Sequence, residues 1–183
     1  MPDQLPLLET ERLILRPYVL ADAKLVQQIC NDWEVAKTTL ALPHPYPDGA
    51  AEQWISTHAE RFRQGTELVL AITLKPDGLV VGSMSLMLRA VHQRAEFGYM
   101  VARERWNHGY CTEAARAIMR YGFEQLELNR IEATHFVRNP ASGRVMQKLG
   151  MVREGLLRQH VRNRGTFEDL VMHSMLRSDF EQA

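Results

Sequence analysis

The sequence predicts a mixed α/β fold, a mostly antiparallel sheet with helices on both faces, and three observations carry that prediction. Apolar residues recur at three- and four-residue spacing early in the chain, switch to strand-like runs between residues 67 and 101, and return to helical spacing from Gly109. Lys75-Pro76-Asp77-Gly78 separates two runs rich in β-branched residues, which is the turn chemistry of a hairpin. The run Ala95 to Val101 reaches the next strand-like run, Ile131 to Val137, through a helical stretch, and that order calls for a right-handed parallel crossover.

The elements follow in order. Leu13 to Arg16 precedes Pro17 and suits an opening edge strand, because proline cannot donate to a ladder. Leu25, Val26, Ile29 and Cys30 after Asp22 mark one amphipathic helix; Ala51, Trp54, Ile55, His58, Ala59 and Phe62 mark a second. Between them Pro43, Pro45 and Pro47 force an extended loop whose apolar residues are costly to expose, so it is expected to pack over neighbouring structure. Glu67 to Leu74 and Leu79 to Leu88 are the hairpin strands, with Ala95 to Val101 beside them. Ala114, Ala117, Ile118, Tyr121 and Leu126 form the inward stripe of a helix expected to end near Asn129. Strand Ile131 to Val137, helix Pro140 to Leu149 closed by Gly150, and strands around Leu156 to Arg162 and Phe167 to Leu176 complete the order β-α-α-β-β-β-α-β-α-β-β.

Composition narrows the functional classes. At 183 residues, 45% hydrophobic and 24% charged, with no linker or repeat, the chain reads as one domain over residues 1–183, and disordered, collagenous and disulfide-scaffold classes are excluded. Twenty-two Lys and Arg balance twenty-two Asp and Glu, so no global charge draws the chain to nucleic acid or membrane. The sequence has neither a run of roughly 20 apolar residues nor a signal-peptide start, and a cytoplasmic location is expected. Cys30 and Cys111 are far apart and read as packed thiols. No histidine has metal-site spacing, and His58 lies on an apolar stripe, so no metal is expected. Arg153, Arg158, Arg162 and Arg164 with His160 read as a solvated strand face rather than an RNA contact, since no stacking aromatics interleave. Met84, Met87, Met100, Met146 and Met172 are assigned to core faces.

Ligands of open α/β sheets sit beyond the carboxyl ends of crossover strands, which here means Val101 to Thr112. A strand ends there, a loop turns at Gly109 and a helix opens, so free backbone N–H groups and the positive end of a helix dipole converge. Such a place favours phosphate. One crossover later, Asn139 is an N-cap, Pro140 occupies the first helical position, and Val145, Met146 and Leu149 face inward.

Trp106-Asn-His-Gly-Tyr-Cys-Thr-Glu-Ala114, Tyr121-Gly-Phe-Glu124, Leu128-Asn-Arg-Ile-Glu-Ala133 and Asn139-Pro-Ala-Ser-Gly-Arg-Val-Met-Gln-Lys-Leu-Gly150 together closely resemble the GNAT superfamily of acetyl-CoA-dependent N-acetyltransferases. Leu8-Glu-Thr-Glu-Arg-Leu-Ile-Leu-Arg-Pro17 and Arg94-Ala-Glu-Phe-Gly-Tyr99 resemble its bacterial ribosomal-protein N-terminal acetyltransferase branch, so the resemblance covers nearly the whole chain. It implies acetyl-CoA as co-substrate and an amine acceptor, either a peptide N-terminus or a small amine. The main chain of Met100 and Val101 would hold the pantetheine and aim an N–H at the thioester oxygen. Trp106, Asn107, His108, Gly109, Tyr110 and Cys111 would wrap the pyrophosphate, Thr112 would add a hydroxyl, and Asn139 would contact pantetheine. The family prefers Gly or Ala where Cys111 stands and often Gly where Asn107 stands, so a bulkier thiol is expected beside the phosphates. The branch is often dimeric, which implies a possible homodimer.

The chemistry requires a neutral amine, a stabilised oxyanion and a proton for the departing thiolate. Glu96 is the candidate base; the other reading of it is an ion pair with Arg94. Ser142 is the candidate acid, or else simply a small polar residue in the first turn of its helix. A non-catalytic acyl-CoA-binding or ribosome-associated module on the same scaffold is the alternative function. The Pro43 to Pro47 loop with Trp33, Tyr46 and Trp54 would wall the acceptor, although core packing is the stronger use of Trp54.

Overall fold

A computed structural model describes residues 4–182. Eight strands form one sheet in the order β1-β2-β3-β4-β5-β6-β8-β7, with β1 at Leu8–Glu9, β2 at Leu13–Arg16, β3 at Glu67–Leu74, β4 at Val80–Arg89, β5 at Arg94–Val101, β6 at Arg130–Phe136, β7 at Val152–Asn163 and β8 at Thr166–Leu176. Every neighbouring pair is antiparallel except β5 with β6, the crossover the sequence calls for. Helices α1 (Ala23–Asn31), α2 (Trp33–Ala36) and α3 (Ala50–Arg63) precede β3, α4 (Tyr110–Glu124) joins β5 to β6, α5 (Pro140–Lys148) follows β6, and α6 (Arg177–Glu181) closes the chain. No helix among the described residues is long and apolar enough to cross a membrane.

Strand alternation divides the core into two layers. Leu13, Leu15, Leu70, Ile72, Met84, Leu86, Phe97 and Val101 pack with Ala114, Ile118 and Phe123 of α4 and Met146 of α5. On the other face Val69, Ala71 and Met100 pack with Val26, Ile29 and Cys30 of α1 and Ala51 and Ile55 of α3. Met87 and Met172 are only half-buried, so they stand at the margin of the core positions expected of them. Asp22 sits at the start of α1 and is itself buried: Arg16 donates to both of its carboxylate oxygens at 2.7 and 2.9 Å, and the Val19 N–H adds a third bond at 2.9 Å.

Some boundaries differ from expectation for local reasons. α4 stops at Glu124, short of Asn129, because Glu127 takes a left-handed φ of 52° and the Leu128 N–H turns back to the Gly122 carbonyl at 3.0 Å. Leu126 and Leu128 still pack inward, but from a loop. α2 is an extra helix, started by Asp32, whose carboxylate accepts the Glu34 N–H at 2.7 Å. β7 is longer than expected, and its irregular register between Leu157 and Val161 breaks the period-two pattern.

His58 of α3 is 3% exposed, lies edge-on to Trp54 at 4.4 Å, and neither ring nitrogen has a partner among the described residues. Burial, with a smaller push from the Arg61 charge, holds its pKa down to about 4. The unfolded chain takes up that proton near 6.5, so the folded state loses stability as pH falls from 6.5 toward 4 and is unaffected by this group above 6.5. We expect a loss on the order of 2 kcal/mol across that window. Urea midpoints at pH 7 and pH 4.5 will show a smaller acid loss in His58→Phe than in the parent chain.

Candidate active site

The last ladder pair between β5 and β6 is Glu96 with Glu132, although the strands continue to Val101 and Phe136. Beyond it they part, and on the β6 side Phe97 to Val101 have no ladder partner among the described residues. Side chains alternate across this opening. Tyr99 and Val101 lie on the α4–α5 face, whereas Met100, and by alternation Glu96, lie on the α1–α3 face.

The β5–α4 loop forms one end of the opening. The Trp106 indole N–H donates to the Val101 carbonyl at 2.8 Å, folding the loop back on the strand end. Asn107 and Gly109 both take left-handed φ values, 63° and 80°, a region that glycine enters freely and that asparagine tolerates best among residues with a side chain. α4 begins at Tyr110 without a side-chain cap on its N-cap residue Gly109. Six consecutive backbone N–H groups, Asn107 to Thr112, find no protein acceptor among the described residues. Free N–H groups at an uncapped helix N-terminus, with the helix dipole behind them, form an anion cradle. A cavity of about 150 Å³ is lined by residues of α1, by Val80 of β4 and by Ala102 to Arg105 of this loop, and includes no residue of β6 or α5.

The Cys111 side chain packs against the α4–α5 face of the core. It turns inward to the Tyr99 hydroxyl, and burial pushes its thiol up, so it stays protonated at neutral pH. Burial likewise pushes the Cys30 thiol up to about 12. Both behave as packed thiols.

α5 forms the other wall. The Asn139 side chain caps it by accepting the Ser142 N–H at 3.4 Å, and Gly143 rests directly on His135: a Cβ there would stand 2.8 Å from the His135 Nε2. With α5 so seated, the Ser142 hydroxyl meets the Tyr99 hydroxyl at 2.7 Å, a bridge across the parted strands. Burial raises the Tyr99 pKa above its ordinary value, so the phenol keeps its proton. Sequence reading missed Tyr99, because its partners lie 43 residues away on another element and no local spacing signals them. Tyr99→Phe is expected to cost about 1 kcal/mol in urea denaturation, the worth of one intramolecular hydrogen bond.

Glu96 is half-buried. The alternative pairing with Arg94 is corrected by the structure: Arg94 donates instead to Glu132 at 2.9 Å, and Arg130 binds both Glu132 and Glu154. Among the described residues Glu96 meets only the Thr134 hydroxyl, at 3.4 Å, so its carboxylate is free of any ion pair.

Of the residues expected to wall an acceptor, Tyr46 is buried in the α1–α3 layer and Trp54 packs edge-on to Tyr18 at 5.3 Å, so both serve the core. Trp33 remains, 46% exposed, with His44 at 5.0 Å and the Arg164 guanidinium over its ring at 5.2 Å. Arg164 is no mere solvated charge. It donates to the Ala36 and Leu42 carbonyls at 3.1 and 2.8 Å, and Arg138 donates to the Lys37 carbonyl at 2.7 Å, tying the 36–42 segment to the second half of the chain. No group of three or more His, Cys, Asp or Glu among the described residues is placed to hold a metal ion.

Residues 12–152 match the acetyltransferase (GNAT) domain family. The chain belongs to the GNAT acetyltransferase family. It is 32% identical over 173 residues to Uncharacterized N-acetyltransferase YoaA of Bacillus subtilis, covering 94% of this chain and 97% of that one. It is 28% identical over 160 residues to L-amino acid N-acetyltransferase AaaT of Escherichia coli, covering 86% and 93%. The solved structure of RimL, a ribosomal L7/L12 alpha-N-protein acetyltransferase in complex with coenzyme A, superposes with a TM-score of 0.86 over 95% of this chain and 99% of that one; at 16% identity this is a likeness of fold. As a GNAT chain the protein is an N-acetyltransferase.

Proposed function

We propose that this GNAT enzyme transfers the acetyl group of acetyl-CoA directly to a primary amine, a peptide N-terminus or a small amine, with both substrates bound together. The observation that carries this reading is the pairing of two features at one opening: six free N–H groups from Asn107 to Thr112 at its end, and an unpaired carboxylate, Glu96, on its α1–α3 face. The residues present fit the coenzyme. Loop amides and the helix dipole suit a pyrophosphate, which explains how a chain of zero net charge accommodates an anion. The strand edge of Met100 and Val101 suits the amide-bearing pantetheine, and an N–H there would steady the developing oxyanion. Asn139, already engaged as a cap through its oxygen, keeps its amide N–H₂ for the same arm.

Glu96 takes the ammonium proton of the incoming amine, directly or through one water, from the face opposite the coenzyme. Ser142, held by Tyr99, offers a hydroxyl on the coenzyme side, where it can hydrogen-bond the departing sulfur and relay to it the proton that the attacking nitrogen sheds as the tetrahedral intermediate collapses.

The test follows thiol release from acetyl-CoA at fixed concentration across N-terminal peptides, amino acids and polyamines. Turnover with at least one amine supports the reading. Coenzyme binding with no turnover on any acceptor would instead indicate a non-catalytic acyl-CoA module.

A further inference from the structure

One charged cluster lies outside the residues given roles above and touches the coenzyme loop from behind. Arg12, at the residue before β2, donates through Nε to Glu113 Oε2 at 2.7 Å, and its Nη2 meets the same oxygen at 2.7 Å. The Arg12 backbone N–H and the Thr10 hydroxyl both donate to the other carboxylate oxygen, at 2.8 and 2.6 Å. The remaining arm, Nη1, donates to the His108 carbonyl at 3.0 Å, and the guanidinium lies over the Tyr110 ring at 4.8 Å.

These contacts act on the cradle in two ways. A trans peptide sets its N–H opposite its C=O, so anchoring the His108 carbonyl on Arg12 turns the Gly109 N–H away from Arg12, where, like its neighbours in the loop, it has no acceptor among the described residues. The same residue neutralises Glu113, a carboxylate in the first turn of α4 that would otherwise compete with an incoming anion for the helix dipole. Burial works against ionisation of Glu113, and the bonds from Thr10 and Arg12 outweigh it, holding its carboxyl below the ordinary range.

The loop needs such a hold. Two left-handed residues, Asn107 and Gly109, stand within three positions, and a non-glycine residue there persists only when its surroundings determine it. Global stability is a weak explanation for the cluster, because the Arg12 side chain is 45% exposed and ion pairs of that kind contribute little.

We propose that Arg12 is a positioning residue that holds Asn107 to Thr112 in the form that accepts the coenzyme pyrophosphate. This rests on the coenzyme reading above. Arg12→Ala should raise KM for acetyl-CoA about tenfold, equivalent to roughly 1.4 kcal/mol, with kcat little changed. KM for acetyl-pantetheine, which lacks the phosphates, should not move. Arg12→Lys should behave like the alanine variant, because one ammonium cannot reproduce a fork that binds a carboxylate and a carbonyl together. Amide hydrogen exchange at residues 107–112 of the free protein should be faster in both variants.

An unchanged KM for acetyl-CoA in Arg12→Ala would overturn the proposal, as would an equal rise for both donors. If the parent chain shows no coenzyme A binding by titration calorimetry, the coenzyme reading fails on its own. The exchange measurement then judges the hold separately, and unchanged exchange in Arg12→Ala would overturn it.

Discussion

Glu96→Gln is expected to lower kcat/KM by roughly 10²-fold or more, the usual worth of a general base, while leaving coenzyme affinity within a small factor of the parent chain. The carboxylate is half-buried on the α1–α3 face, at the last residue before β5 and β6 part, and no ion pair occupies it. Glutamine keeps the size and the contact with Thr134 but cannot accept a proton from an ammonium. Because Arg94 is held by Glu132, the substitution strands no buried cation, and the melting temperature should hardly change. Steady-state kinetics and coenzyme titration on the same preparation check this. A variant with parental kcat/KM would remove Glu96 from the chemistry and return it to the status of a strand glutamate.

Gly82→Ala should be the most damaging small substitution in the sheet. A Cβ at Gly82 would stand 2.3 Å from the Met100 carbonyl oxygen and 3.1 Å from the Val101 Cα. Both obstacles are backbone, so no side chain can swing aside to make room. Gly82 pairs with Val101 in the β4–β5 ladder, and its own carbonyl accepts the buried Tyr18 hydroxyl at 2.9 Å, so neither strand can retreat without breaking a bond. Overpacking of this kind costs typically 1–3 kcal/mol, and backbone obstacles put Gly82 at the upper end. The displaced segment is Met100 and Val101, so KM for acetyl-CoA should rise along with the loss of stability. Denaturant midpoints and coenzyme titration measure the two effects, and a variant matching the parent in both would show that β5 shifts freely.

Much of the fold was legible because its signals are local. The hairpin from Glu67 to Leu88 declares itself through Lys75-Pro76-Asp77-Gly78, whose Asp77 side chain accepts the Leu79 N–H at 3.0 Å. The start of α5 declares itself through Asn139 and Pro140. Where a local signal competed with tertiary contacts the reading slipped. Leu126 continues the helical stripe in sequence, yet it packs from a loop once the chain turns at Glu127. Tyr46 is an aromatic residue in a proline-rich loop, a pattern shared by binding walls and by cores, and here it fills the core, as was expected of Trp54.

The candidate site was legible in part for the same reason. The free amides from Asn107 to Thr112 follow from a strand end, a glycine turn and a helix start that are contiguous in the chain. Tyr99 with Ser142, Arg12 with Glu113 and His108, and the release of Glu96 through the pairing of Arg94 with Glu132 involve residues 38 to 101 positions apart. Periodicity and capping act over a few residues, so the sequence alone determined the order of the longer elements, the parallel crossover and the loop of free amides, and it missed the short elements β1, α2 and α6. Only the tertiary structure decided which carboxylate is left unpaired, which hydroxyls meet across the parted strands and which arginine grips the loop from behind, because those pairings depend on where distant strands and helices come to rest against one another.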